Sequence, residues 1–354
     1  MFRPHPSGAS TGTPASGPLG AQRITGKLLA TQGYVVGIEI SGSGARQSVA
    51  LADLDGNILH RVRRPLEHVP DNKTVLSLLD DMIAEVTSPE RLLDGRVLRV
   101  GVAVGGLVDA THGIVRTLYH AHGWDNFPLQ DYFAERLDVP CIIDNNANAA
   151  ALAEVQRGVG MGERVVLYVG LGRGIGGALV VNGNIYHGVT CTAGEIGHML
   201  VKENGPKCSC GHMGHLESIA SARAISQMMI GLSAEYPETE AAIRRITGGR
   251  AERITAAQVF QLAAEGDTLA QRIVDEVHTY LGIALANIVH LVNPGMIILG
   301  GPVAQAGDLF IQPLQECLQR LCLPAAVQSL RIVQGSLGSD ANIVGAVTLA
   351  LQDL

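Results

Sequence analysis

Residues 194–217 read GEIGHMLVKENGPKCSCGHMGHLE. Cys208 and Cys210 stand two apart, His215 follows five later, and His198 lies ten residues before the first cysteine. These are four soft or borderline ligands, the number that a closed tetrahedral zinc site takes. The residues between them, 202–207 and 211–214, include three glycines and a proline, so the backbone can curl around an ion without crowding from side chains. A C-x-C pair alone would read as two buried thiols; with His198, His215 and the glycine punctuation the stretch is expected to bind Zn. Four protein ligands leave no open position, so the metal is expected to organise a loop and not to activate water. Glu195 and Glu217 flank this group and, with His198, supply two carboxylates and an imidazole, which suits several vicinal hydroxyls of a sugar.

Working outward, both halves of the chain open with strands and continue with helices. Residues 34–40 (YVVGIEI) and 48–59 (SVALADLDGNIL) are β-rich and give three opening strands, with Asp55-Gly56 at a hairpin turn. Helical spacing at 73–86 is followed by LRVGVAVGGLVD as a buried strand running into a glycine turn, a helical QDYFAERL, the strand CIID, and the turn-to-helix segment NNANAAALAEVQRG. The second half starts with RVVLYVGLGRGIGGALVVNGNIY, two strands turned on glycines. Helical patterns follow at 218–232, 256–264 and 268–291, then the strand MIILGG, a late strand at 330–333 and a last helix at 342–351. This repetition predicts a duplicated β/α fold with a cleft between two lobes: a disordered tail at 1–33, an N-terminal lobe at 34–150 plus 338–354, and a C-terminal lobe at 151–337.

Composition narrows the function classes. With 354 residues and 47% hydrophobic content the chain buries a core large enough for two lobes, and a net charge of -7 argues against free-standing nucleic-acid binding. Six cysteines without a disulfide framework, and no signal-type leader, predict a cytoplasmic protein. The most apolar run, residues 283–301, is broken by Asn, His and Pro, so no membrane span is expected.

Three glycine-rich turns are candidates for phosphate or nucleotide: EISGSG at 39–44 with Ser43, GLGRGIGG at 170–177 with Gly172, Arg173 and Gly174, and LGGPVA at 299–304 with Gly300 and Gly301. None is a P-loop, and the second lies in a hairpin with no helix following, so a tight turn that simply needs glycine is an equal reading. Asp144-Asn145-Asn146 ends a strand, the usual place for groups that serve a crevice. Asn145 can donate to and accept from a hydroxyl. Asn146 cannot act as a base, and an Asx turn capping the alanine helix is an alternative role for it.

Residues 195–198 (EIGH) with 208–217 (CSCGHMGHLE) resemble the signature of the ROK family of bacterial repressors and sugar kinases, with His215 where the family has a third cysteine. The resemblance runs from Tyr34 onward and implies an α/β, two-lobe actin-like (ribonuclease-H-like) ATPase fold. It implies a sugar site at Gly105, Asn145, Asn146, Glu195, His198 and Glu217, with Trp124 at the family's tryptophan, and a metal site at His198, Cys208, Cys210 and His215. At the position of the family's catalytic aspartate stands Asn146, so the kinase base is missing, at a cost of roughly 10²–10⁴-fold. On a continuing strand Asp144 would share the face of Asn146 and is the alternative carboxylate. The first phosphate motif matches only in outline, the second has Arg173 for Thr, and ATP with Mg is left open. The implied function is a kinase-inactive sugar sensor for a hexose or amino sugar; the alternative is an ATP-dependent hexose kinase of the glucokinase or N-acetylglucosamine kinase type. Homo-oligomers are expected from the family. ROK repressors carry a winged helix-turn-helix ahead of this fold, so direct DNA binding by this chain alone is not expected.

Overall fold

The computed structural model describes residues 33–41, 46–66, 71–118 and 121–354. The expected tail, up to residue 32, and the candidate Ser43 lie outside these residues. Strands, and helices of eight or more residues, are numbered in chain order.

Two five-stranded sheets repeat one plan. In the first, β1 (Gly33–Ile40), β2 (Arg46–Asp53) and β3 (Ile58–Pro65) form an antiparallel meander. β4 (Arg96–Val104) and β7 (Cys141–Asn145) then add in parallel on the other side of β1, in the order β3-β2-β1-β4-β7. The second sheet has β8 (Val165–Leu171), β9 (Ile175–Val181) and β10 (Asn184–Ile185) as the meander. β11 (Met296–Gly300) and β12 (Arg331–Gln334) follow in parallel, in the order β10-β9-β8-β11-β12. The sequence explains the positions. β1 is apolar apart from Glu39 and is buried along its whole length, as a strand paired on both sides and covered on both faces must be. β3, ILHRVRRP, carries three arginines and a proline and sits at an edge, where charge and a missing N–H discourage further pairing.

The run LRVGVAVGGLVD divides, because Gly105 and Gly106 end β4 and β5 (Leu107–Asp109) starts a separate hairpin with β6 (Ile114–Thr117), which the sequence reading omits. α1 (Asn72–Val86), capped by Asp71 accepting from Thr74 N at 2.9 Å, and α2 (Leu129–Leu137) close one side of the first core, which also buries Trp124. The pattern at 218–232 breaks at Ser221, whose hydroxyl caps α4 (Ala222–Ser233). α5 (Pro237–Ile246), α6 (Ala256–Ala264), α7 (Thr268–Val292) and α8 (Asp308–Leu321) complete the second core.

α9 (Ala341–Leu351) returns to the first sheet and packs on β1, β4 and α3 (Asn146–Arg157). α3 and α9 approach closely because their contact is made of small residues: a Cβ on Gly345 would lie 2.3 Å from the carbonyl oxygen of Ala149. Among the described residues no helix is long and apolar enough to cross a membrane.

Candidate functional site

The carboxyl ends of the parallel strands of both sheets converge on one cavity of about 1170 Å³. Glu39 is the last residue but one of the first sheet's central strand, Gly105 follows β4 and Asn145 ends β7; Gly172 follows β8, Gly300 ends β11 and Gln334 ends β12. This is where an open α/β sheet presents loop and helix-start polar groups, since its lateral backbone groups are consumed by pairing. All six predicted sugar residues line this space, as do Arg173, Gly174 and Gly301. The buried Glu39 accepts from Asn342 Nδ2 at 3.0 Å, which ties the end of β1 to the start of α9.

The β7–α3 junction differs from the expectation. The strand stops at Asn145 and Asn146 is the first helical residue, so the two-residue alternation that placed Asp144 beside Asn146 does not hold. Asp144 is buried and is not among the residues lining the cavity. Its Oδ1 accepts from Asn145 N and Asn148 Nδ2, both at 2.7 Å, and its Oδ2 lies 2.7 Å from His187 Nε2. With both oxygens occupied away from the cavity, Asp144 is not positioned as a substitute base. The capping residue is Asn145 and not Asn146: Asn145 Oδ1 accepts from Ala147 N and its Nδ2 donates to Gly106 O, each at 2.7 Å. The amide is thus fixed in orientation with one N–H left for a ligand.

The metal-type residues fall together. Ligand atoms of His198, Cys208, Cys210 and His215 all lie within 4.8 Å of one another, with Cys208 Sγ 3.7 Å from His198 Nδ1 and Cys210 Sγ 3.3 Å from His215 Nδ1. The two Cys–His separations suit the edges of a Zn tetrahedron with bonds of about 2.0–2.3 Å. Burial pushes the His215 imidazole down, toward the neutral form that ligates, and pushes the Cys208 thiol up, which a divalent cation would reverse. The other His198 nitrogen, Nε2, lies 3.9 Å from Glu195 Oε2. Glu217 faces the cavity but is held on both oxygens: Oε1 accepts from Ser209 Oγ at 2.7 Å and Oε2 from Ile175 N at 3.1 Å. Gly174 permits this approach, since a Cβ there would meet Glu217 Oε2 at 2.4 Å.

The β8–β9 turn has the predicted hairpin form, with Leu171 opposite Ile175 and Gly172 N donating to Gly174 O at 2.9 Å. A helix start does meet it, from elsewhere in the chain: Ala222 N, at the head of α4, donates to Gly172 O at 2.9 Å. The family model that describes ROK proteins matches residues 35–353 of this sequence, the span that builds both sheets and the whole cavity. The chain belongs to the ROK family. It is 33% identical to a glucokinase of Halalkalibacterium halodurans over 90% of this chain and 95% of that one. It is 27% identical to a xylose repressor of Caldicellulosiruptor bescii, over 91% of this chain and 79% of that one. The fold is similar to a ROK family glucokinase from Streptomyces griseus in complex with glucose and AMPPNP (TM-score 0.77, 27% identity, 90% and 99% coverage).

The two-sheet arrangement is accordingly the actin-like, two-lobe α/β fold of ROK kinases. Trp124 is 1% exposed in the first core with its ring 5.7 Å from Phe127, and does not line the cavity. Sequence reading missed two residues that support this cavity, Glu154 at its wall and His187 behind it. Glu154, on α3, is 1% exposed and accepts from Val159 N, Ser336 Oγ and Leu337 N at 2.9–3.1 Å, fastening the end of α3 to the wall that precedes α9. A carboxylate in an otherwise alanine-rich buried helix was its only local signal. His187, the partner of Asp144, carried none.

Proposed function

We propose that this ROK chain binds a hexose or amino sugar in the cleft between its sheets and acts as a carbohydrate sensor of the regulator type, without efficient phosphoryl transfer. The observation that carries the reading is Asn146 at the cavity wall, in the position of the family's catalytic aspartate, with Asp144 buried and bonded elsewhere. An amide accepts no proton from a sugar hydroxyl, and that loss costs roughly 10²–10⁴-fold. Sugar hydroxyls would be met by Asn145, Glu195 and His198. Glu217, held by Ser209 and Ile175, has lone pairs left on a fixed carboxylate.

His198, Cys208, Cys210 and His215 fit Zn, which would supply structure and no catalysis. With Nδ1 on the metal, the remaining His198 N–H would face Glu195 and the sugar. Closure of the lobes on the sugar would be passed to a second copy or to a partner protein in the cytoplasm.

The second reading, an ATP-dependent hexose kinase, draws on the glucokinase relatives and on Gly172, Gly174, Gly300 and Gly301 at one cavity wall. A coupled ADP assay on wild type and Asn146→Asp across a hexose panel, with and without Mg-ATP, separates the two. Sugar binding by calorimetry with no ADP release is the expected result. Wild-type turnover of about 1–100 per second would overturn the sensor reading, and absence of binding by any hexose or amino sugar would overturn sugar recognition itself.

A further inference from the structure

The segment that carries Glu195 leaves the second sheet at β10 and is fastened to β7 of the first sheet and to the β5–β6 hairpin before it reaches the cavity. His187 Nε2 lies 2.7 Å from Asp144 Oδ2, and Cys191 Sγ lies 3.5 Å from Thr111 Oγ1 and 3.8 Å from Asp109 Oδ1. The thiol contacts are long and weak. The first contact is between an imidazole and a carboxylate whose side chain is 4% exposed, and a protonated ring makes it a charge-assisted bond. Asp144 cannot swing to follow the loop, because its other oxygen is held by Asn145 N and Asn148 Nδ2. One proton on His187 therefore joins the side of the cavity that carries Glu195 to the side that carries Asn145.

The geometry points to His187 as a positioning residue, a clasp that holds the Glu195 segment against the β7–α3 junction and tightens sugar binding while the ring is protonated. This rests on the sugar-binding reading above. The charged group acting on the ring is Asp144; the other titratable groups nearby face elsewhere, Cys191 toward Asp109, and Glu195 toward His198 and Glu217. The hydrogen bond to Asp144 raises the His187 pKa above the usual 6.5, burial opposes it, and the Asp144 charge adds to the rise. With the folded value raised, the clasp is complete below the ordinary imidazole range and weakens as pH rises through that folded value. A neutral ring keeps an Nε2–H donor, so the contact loosens without vanishing.

The test uses the full chain. His187→Gln keeps an N–H donor at the Nε2 position and cannot titrate; His187→Ala removes the contact; Asp144→Asn removes its charge. By calorimetry with glucose, wild type should bind about 3–10-fold tighter at about pH 6 than at about pH 8.5, His187→Gln should bind alike at both, and His187→Ala should be about tenfold weaker than wild type at the lower pH. By NMR on the unliganded protein, His187 should titrate above the ordinary range in wild type and fall back in Asp144→Asn. Wild-type pH dependence in His187→Gln, or an unchanged His187 titration in Asp144→Asn, overturns the clasp. If wild type binds no hexose or amino sugar at either pH, the sugar reading fails by itself. The clasp is then decided by the titration and by amide exchange of residues 188–195, which should be faster in His187→Ala than in His187→Gln; equal exchange overturns it.

Discussion

The carboxylate of Glu217 accepts the backbone N–H of Ile175 at 3.1 Å, across the mouth of the β8–β9 turn. Its second oxygen takes Ser209 Oγ, which lies between Cys208 and Cys210 in the metal-type loop. One side chain thus joins that loop to the glycine turn, and any change in the loop is felt at the cavity wall.

Removal of the metal should therefore act at a distance. Wild type is expected to carry about one Zn per chain by elemental analysis, as a four-ligand site implies. His215→Ala should release it and weaken glucose binding by roughly 10–100-fold, the usual cost of disturbing a metal's supporting shell. Undiminished glucose affinity in metal-free His215→Ala would show that the loop does not hold the wall.

Asn145 combines a helix cap with a bond to Gly106 O, and two substitutions separate these. Asn145→Ala should lower stability to urea by about 1 kcal/mol through the lost cap. Asn145→Asp keeps the acceptor for Ala147 N and loses the donor to Gly106 O, so it should retain more stability while binding sugar poorly. Equal stability of the two variants would count against the capping role.

The β5–β6 hairpin should report acid. Burial raises the Asp109 carboxyl, but hydrogen bonds from His112 and Arg116 outweigh it and hold the group at about 2, below the usual 3.8. A depressed value means that the contribution to stability is complete above about pH 3.8 and is lost as pH falls toward 2. Asp109→Asn should flatten the fall in unfolding free energy across that interval. A fall as steep as in wild type would place the acid sensitivity elsewhere.

The contact of α3 with α9 has no room for a methyl group. Gly345→Ala gains about 1 kcal/mol of helix propensity, yet a Cβ 2.3 Å from Ala149 O forces the helices apart, for a net loss of roughly 1–2 kcal/mol. Chemical denaturation measures it, and a stabilised variant would mean that the helices separate freely.

What could be read in the sequence was local. His198, Cys208, Cys210 and His215 fall within 18 residues, so their spacing nearly fixes their meeting. The β8–β9 hairpin is set by glycines and alternation, and the absence of a titratable oxygen at Asn146 is plain from its identity. Strand and helix periodicity likewise gave two repeated β/α units, because burial of one face is written residue by residue.

The structure departs from the sequence pattern where the chain changes period or where partners are far apart. Strand alternation would put Asp144 and Asn146 on one face, and the helix that begins at Asn146 turns them apart. Asp144 meets His187 across 43 residues, Glu217 meets Ile175 across 42, and Glu154 meets Leu337 across 183. Spacing along the chain therefore determined the candidate ligand group and the turns, and residue identity alone set the amide at Asn146. Only the tertiary structure decided which carboxylates face the cavity and which are consumed in holding it together, because a buried carboxylate is stable only where distant donors converge on it, and that convergence is a property of the packed sheets.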